Sequence, residues 1–226
     1  MNQSALKKPY EGLRPAEPAD MHEARGRKSA ILHQATRLFL EEGYAAATTN
    51  ALVARTGGSK STIYSYFGSK EKLFGAVVDH VLAQIKATTN DFDPPDGDLQ
   101  NCLIDLGAKL LTIVLSADHI ALARMVIGEA NRFPEIGAIY HDHGPALAQE
   151  GVVAFLLGHD AMPGANPDDI RDAAEWFTGR LIHRAFICAL CGSDDGAGPD
   201  EAKRIARDTA STFVRRFTKP AGGHAA

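Results

Sequence analysis

The apolar residues of this chain recur at three- and four-residue intervals over most of its length, and no segment shows the period of two that marks a strand. Over about 23–42, Ile31, Ala35, Leu38 and Phe39 share one face with Leu32 on its flank, and Gly43 ends the run. Thr48 stands where an N-cap belongs, opening a short helix to Thr56 that buries Leu52 and Val53. Gly57-Gly58-Ser59 forms a tight turn. Ile63 and Phe67, four apart, then mark the inner side of a second short helix over about 60–67. Gly68 stops it and Ser69 caps the next, whose inner face is Leu73, Phe74, Val77 and Val81, running to about Ala87.

Asp91–Asp98 contains Pro94, Pro95 and Gly97 and is the best domain boundary. Beyond it, helices are predicted over about 99–116, 119–131, 134–157, 167–191 and 200–218, with neither internal repeat nor heptad run. Residues 1–22, with Pro9, Pro15 and Pro18 and few apolar side chains, read as a disordered arm. The fold class is therefore all-α with about nine helices. A 23–87 head precedes a larger helical body over 88–226.

Composition changes this picture little. The 226 residues are 45% hydrophobic and 23% charged, as in ordinary globular chains. No apolar run approaches the roughly 18 residues that span a bilayer, and Lys7 and Lys8 are followed by no apolar signal core. No membrane partner is expected. Three cysteines, an odd number, argue for a reducing cytoplasm rather than a disulfide framework. Charge is more informative. The net −4 conceals 11 Lys and Arg against 8 Asp and Glu in residues 1–85, or +3, and 13 against 20 in residues 86–226, or −7. A positive head on a negative body suits a polyanion partner for the head.

One stretch carries specific chemistry. In GGSKSTIYSYFGSKEKLF, residues 57–74, lysines occupy the first turns of two helices: Lys60 in one, Lys70 and Lys72 in the other. Helix N-termini favour acids, as in Asn166-Pro167-Asp168-Asp169 and Pro199-Asp200-Glu201. A cation there makes sense as an anion site, where free N–H groups, dipole and ammonium act together. A short helix, glycine turn and second short helix fit a helix-turn-helix, whose second helix enters the major groove. Lys60, Ser61, Thr62, Ser65 and Tyr66 lie away from the Ile63/Phe67 side and are placed to meet DNA; Tyr64 both packs its ring and reaches outward.

Residues 27–81 resemble the DNA-binding domain of the tetracycline-repressor-like (TetR/AcrR) family of transcriptional regulators. The resemblance is carried by Ile31-Leu32, Ala35, Leu38-Phe39, Gly43-Tyr44, Thr48, Gly57, and Ser59 through Phe67 followed by Ser69-Lys70-Glu71 and Leu73. It implies a three-helix head, a ligand-binding and dimerisation body, and a homodimer on a near-palindromic double-stranded operator. It also implies DNA contacts from Arg27, Lys28, Thr48, Thr49, Ser59, Lys60, Ser61, Thr62, Tyr64, Ser65, Tyr66 and Lys70. Of these, Lys60 to Thr62 are assigned to bases, and Thr48, Tyr64, Tyr66 and Lys70 to phosphates; Arg25 joins Arg27 and Lys28 before the first helix. Two positions depart from the family pattern. Gly58 replaces the usual apolar turn residue, and Ala51 stands where an acid or amide completes a capping box.

Residues 126–145, VIGEANRFPEIGAIYHDHGP, are similar to the body of an AefR-like subgroup. That match supports the architecture and names no ligand; the wider family resemblance implies an interior pocket, with Met125, Glu129, Phe133, Tyr140, Phe155, Trp176, Phe177, Arg180 and His183 as lining candidates that as a set suggest a small apolar or aromatic effector. Two stripes recur in the last helices: Ile170, Ala173, Ala174, Phe177, Leu181, Ala185 and Cys188, then Ala206, Ala210, Phe213 and Phe217. Periodicity fits either the chain's own core or a contact between copies. The resemblance implies the second, with Phe177, Leu181, Ala185, Cys188, Ala206, Ala210, Phe213 and Phe217 at the dimer interface.

Other chemistry is excluded on spacing. Cys188 and Cys191 form a CxxC within one helix without a second pair, and His141 and His143, two apart, point to different sides. No metal or cofactor is expected. No catalytic motif is present, so no enzyme activity is expected either. The alternative is a helical small-molecule carrier or enzyme with a vestigial helix-turn-helix, which would have no use for the basic, hydroxylated face of residues 60–66.

Overall fold

The computed structural model describes residues 19–90, 98–193 and 198–218, all built from α-helix and short connections. The order is α1 (Ala19–Ala46), α2 (Thr49–Thr56), α3 (Lys60–Phe67), α4 (Lys70–Asn90), α5 (Leu99–Val114), α6 (Ala117–Glu129), α7 (Pro134–His143), α8 (Pro145–Gly158), α9 (Pro167–Leu190) and α10 (Pro199–Phe217).

Most boundaries follow the apolar pattern, with two corrections. α1 begins at Ala19, inside the expected arm; the arm's first 18 residues lie outside the described ones. The prolines end at Pro18, and nothing after it breaks a helix. The single helix expected over 134–157 is two, α7 and α8, divided at Gly144 (φ −120°, ψ −88°). Pro145 supplies no N–H and disfavours helical geometry in the residue before it, so the chain turns there. Most of the expected Asp91–Asp98 boundary lies outside the described residues, while Asp98 caps α5 by accepting from Asn101 N at 2.8 Å.

The head is closed by three aromatic rings. Phe39 stacks on Tyr44 at 5.7 Å, and Phe74 meets both edge-on at 5.5 and 5.3 Å. All three are buried, each contributing about 1.5–3 kcal/mol by burial. Arg55 at the end of α2 pairs with Glu41 and Glu42 of α1 at 2.8 Å each. The hydrogen bond from Arg55 holds the Glu41 carboxyl below its usual pKa.

In the body, α5 is apolar on most sides, with Leu103, Leu106, Leu110 and Leu111 fully buried, and α4, α6, α9 and α10 pack around it. This arrangement corrects the dimer assignment. Phe177, Leu181 and Ala185 of α9 and Ala206, Ala210 and Phe213 of α10 are at most 3% exposed within the single chain. Their small residues serve α5: a Cβ on Gly107 would stand 3.1 Å from Leu181 Cδ1 and 3.3 Å from Ala206 Cβ. Phe177 and Phe213 meet edge-to-face at 5.8 Å in the same layer. Only Cys188 and Phe217 of the set are partly exposed. Among the described residues no single helix is long and apolar enough to cross a membrane.

Candidate nucleic-acid interface and a cavity in the body

α2 and α3 are each opened by a hydroxyl. Thr48 Oγ1 accepts from Ala51 N at 3.2 Å, and Ser59 Oγ accepts from Thr62 N at 3.2 Å. Ile63 and Phe67 are buried, which turns Lys60, Ser61, Tyr64 and Ser65 outward. Tyr64 is 45% exposed, and its hydroxyl shares a 3.1 Å hydrogen bond with Thr49 Oγ1, tying the first residue of α2 to the recognition helix. Ser65 Oγ donates to the Thr62 carbonyl at 2.8 Å and so offers only lone pairs outward. Tyr66 is half-buried, with its ring 6.4 Å from Phe67. Arg27 and Lys28, expected before the first helix, lie inside α1, which touches both ends of this unit: Lys28 Nζ lies 5.6 Å over the Phe67 ring, and Arg27 passes the α2–α3 turn.

That turn accounts for Gly58. Its φ is +96°, and a Cβ there would stand 3.1 Å from the Arg27 guanidinium. Gly58→Val, which restores the family's apolar residue, is therefore expected to destabilise the head by about 1–3 kcal/mol in a urea melt.

Lys70 departs from the expected backbone grip. Its Nζ sits 4.5 Å over the Tyr44 ring and donates to the Ala45 carbonyl at 3.3 Å. Burial pulls its pKa down, against the opposing charge of Glu129. Glu129, expected in a ligand pocket, is the other half of this joint. Its Oε1 accepts from Tyr44 N at 2.7 Å and its Oε2 from Ala45 N at 2.8 Å. The last residue of α6 thus clamps the final turn of α1, just past the non-helical Gly43 and three residues before Thr48. Phe133 belongs here too, edge-on to Tyr44 at 5.0 Å.

The remaining pocket candidates scatter. Phe177 is sealed in the core, Phe155 is buried with its ring 4.2 Å from His159, Met125 is half-buried and Arg180 is exposed. Trp176 lines a separate groove of about 520 Å³ with Phe217, Arg216 and Asp172. Tyr140 and His183 alone meet, in the wall of a cavity of about 330 Å³ between α7, α8 and α9. His119, also in this wall, carries no signal in the sequence. His119 is 4% exposed; its Nδ1 lies 2.6 Å from the Val114 carbonyl and its Nε2 2.9 Å from the Tyr140 hydroxyl. It caps the carbonyl end of α5 from five residues downstream, outside any helical spacing. His141 and His143 part as expected: His141 pairs with Asp142, and His143 Nδ1 reaches Asp79 of α4 at 2.6 Å.

Burial holds the His119 ring below its ordinary pKa of 6.5, opposed by the bond to Val114. With the folded value below the unfolded one, the unfolded chain takes up the proton first. This contribution is complete above 6.5 and is lost as pH falls through the interval down to the folded value. Between about pH 7.5 and about pH 5.5, the melting temperature should therefore drop further in the unmodified protein than in His119→Gln.

Known proteins match both parts of the chain. Residues 31–77 match the family of bacterial regulatory proteins described as tetR, and residues 101–219 match the C-terminal domain of AefR-like transcriptional repressors. The HTH-type transcriptional repressor AcnR of Corynebacterium efficiens is 28% identical over 189 residues, covering 84% of this chain and 93% of that protein. A TetR-family regulator of Mesorhizobium loti superposes with a TM-score of 0.71 at 23% identity, over 85% of this chain and 96% of its own. The flavonoid-responsive regulator FrrA does so with a TM-score of 0.67 at 21% identity, over 88% and 100%. At such identities these two solved structures carry the fold alone. With the helix-turn-helix inside one family description and more than half of its length inside the other, the chain belongs to the TetR family of bacterial transcriptional regulators.

Proposed function

We propose that this protein is a ligand-responsive transcriptional repressor of the cytoplasm that binds a near-palindromic operator as a homodimer. The observation that carries the reading is the capped α3 with Lys60, Ser61, Tyr64 and Ser65 turned outward on a base of buried Ile63 and Phe67. Lys60 to Thr62 read base edges in the major groove, and Thr48, Thr49, Tyr64 and Tyr66 grip the flanking phosphates. Arg27 and Lys28 add charge beside the same groove. Lys70, at the start of α4, is engaged with the Ala45 carbonyl, and the exposed Lys60 supplies the charge at the start of α3. Two copies join through the outer strips of α9 and α10, where Arg180, Arg184 and Ile187 remain exposed.

The effector enters the α7–α9 cavity. Its wall at Gly144 packs on Leu82 of α4, and His143 binds Asp79 of the same helix. α4 begins at Lys70, beside the recognition helix, so a ligand that shifts α7 and α8 moves the head. Binding would favour a dimer whose two α3 helices no longer match successive major grooves, about 34–36 Å apart.

Duplex from upstream of the protein's own gene should bind more tightly than random duplex at matched salt. If no fragment does so between low and physiological salt, the repressor reading fails and the carrier reading takes its place. Within that assay, Lys60→Ala should flatten the slope of log K against log salt by about one phosphate-equivalent, or relax the preferred sequence. Thr62→Ala should relax sequence preference by about 1–3 kcal/mol at one base position and leave the salt slope unchanged.

A further inference from the structure

The effector reading leaves open what chemistry the cavity accepts, and the proton positions in its wall answer that. The Val114 carbonyl can only accept, so His119 Nδ1, 2.6 Å away, carries the ring's proton. The ring is buried and neutral, so Nε2 holds a lone pair and the Tyr140 hydroxyl donates to it at 2.9 Å. Tyr140 has therefore spent its proton on the protein. Thr178 has done the same: its Oγ1 lies 3.0 Å from the Ala174 carbonyl and 3.1 Å from that of Glu175. Both hydroxyls present lone pairs only.

The rest of the wall fits a flat, uncharged occupant. Tyr140 stacks on His119 at 5.8 Å with 20° between planes, and Phe186 stacks on the same imidazole at 5.7 Å with 24°. Gln149 brings an amide, His183 is exposed, and among the described residues no Lys, Arg, Asp or Glu lines the cavity. A carboxylate would set its lone pairs against those of Tyr140 and Thr178, with no Lys or Arg among the described lining residues to offset them. About 330 Å³ lies at the small end of ligand sites, the size of a two-ring molecule.

We propose that the cavity selects a neutral, planar aromatic ligand bearing a hydrogen-bond donor, such as a phenolic hydroxyl, which donates to the Tyr140 oxygen. The proposal rests on the reading of this cavity as the effector site.

Calorimetry on the full chain with three probes of one skeleton tests it. 2-Naphthol carries the donor, 2-methoxynaphthalene has the same oxygen without a proton, and 2-naphthoate is the anion. 2-Naphthol should bind about five- to tenfold more tightly than the ether, with the naphthoate weakest. Tyr140→Phe should bring 2-naphthol to the level of the ether and leave the ether within about twofold. If that variant fails to fold, the three-probe comparison on the unmodified protein decides alone. Equal binding of naphthol and ether, tightest binding of the naphthoate, or binding of none of the three overturns the proposal. A parallel gel-shift separates the two readings. Donor-selective binding without operator release upholds the ligand chemistry and refutes the effector role; operator release without donor selectivity does the reverse.

Discussion

Gly43→Ala is expected to destabilise the protein by about 3–5 kcal/mol, seen as a fall in melting temperature of about 10 °C. Two independent causes act at this position. Its backbone sits at φ +83° and ψ 168°, a region open to glycine and closed to residues with a Cβ. The added methyl would also stand 2.6 Å from Glu129 Oε1, inside contact distance. The carboxylate would have to withdraw from Tyr44 N and Ala45 N, which it holds at 2.7 and 2.8 Å. The substitution therefore strains the end of α1 and unfastens the body from the head in one step.

Glu129→Ala isolates the second cause and is expected to cost about 2–4 kcal/mol, because two charge-assisted bonds to main-chain donors are lost. Operator affinity should fall several-fold as well, since the clamped turn leads directly to Thr48 and the start of α2. Glu129→Gln should fall between, as an amide has one acceptor oxygen to offer two N–H groups. The pair also makes a sharp double-mutant cycle. Once the carboxylate is gone, Gly43→Ala should cost only its backbone strain, about 1–3 kcal/mol, in urea melts of the Glu129→Ala background. Costs that simply add would mean that the clamp and the glycine act separately.

The parts of this molecule that were legible in its sequence are those governed by local pattern. One-sided burial of α1 to α4 writes itself as Leu38/Phe39, Ile63/Phe67 and Leu73/Phe74/Val77, and all of these are buried. The recognition run was legible because its lysine and hydroxyls contradict what an ordinary helix start prefers. What escaped depends on distant partners or on backbone torsion. Glu129 looked like a polar group in an apolar pocket, whereas its partners are main-chain N–H groups 84 and 85 positions upstream. The stripes of α9 and α10 have a spacing that suits a second copy as well as α5, and only packing shows that α5 takes them. His119 has no helical-period signal because it caps α5 across a helix break. Gly58 is explained by a positive φ that no neighbouring residue announces. The division at Gly144-Pro145 was readable from the dipeptide itself and was overridden by the apolar period on either side.

Hydroxyl-radical footprinting of the full chain on duplex from upstream of its own gene tests the central claim most directly. A repressor that reads DNA through α3 in a two-fold dimer predicts two protected patches centred about 34–36 Å apart, or a multiple of that spacing. Both should weaken together in Lys60→Ala. A single patch, or protection that spreads evenly along the duplex and is indifferent to Lys60, would contradict it.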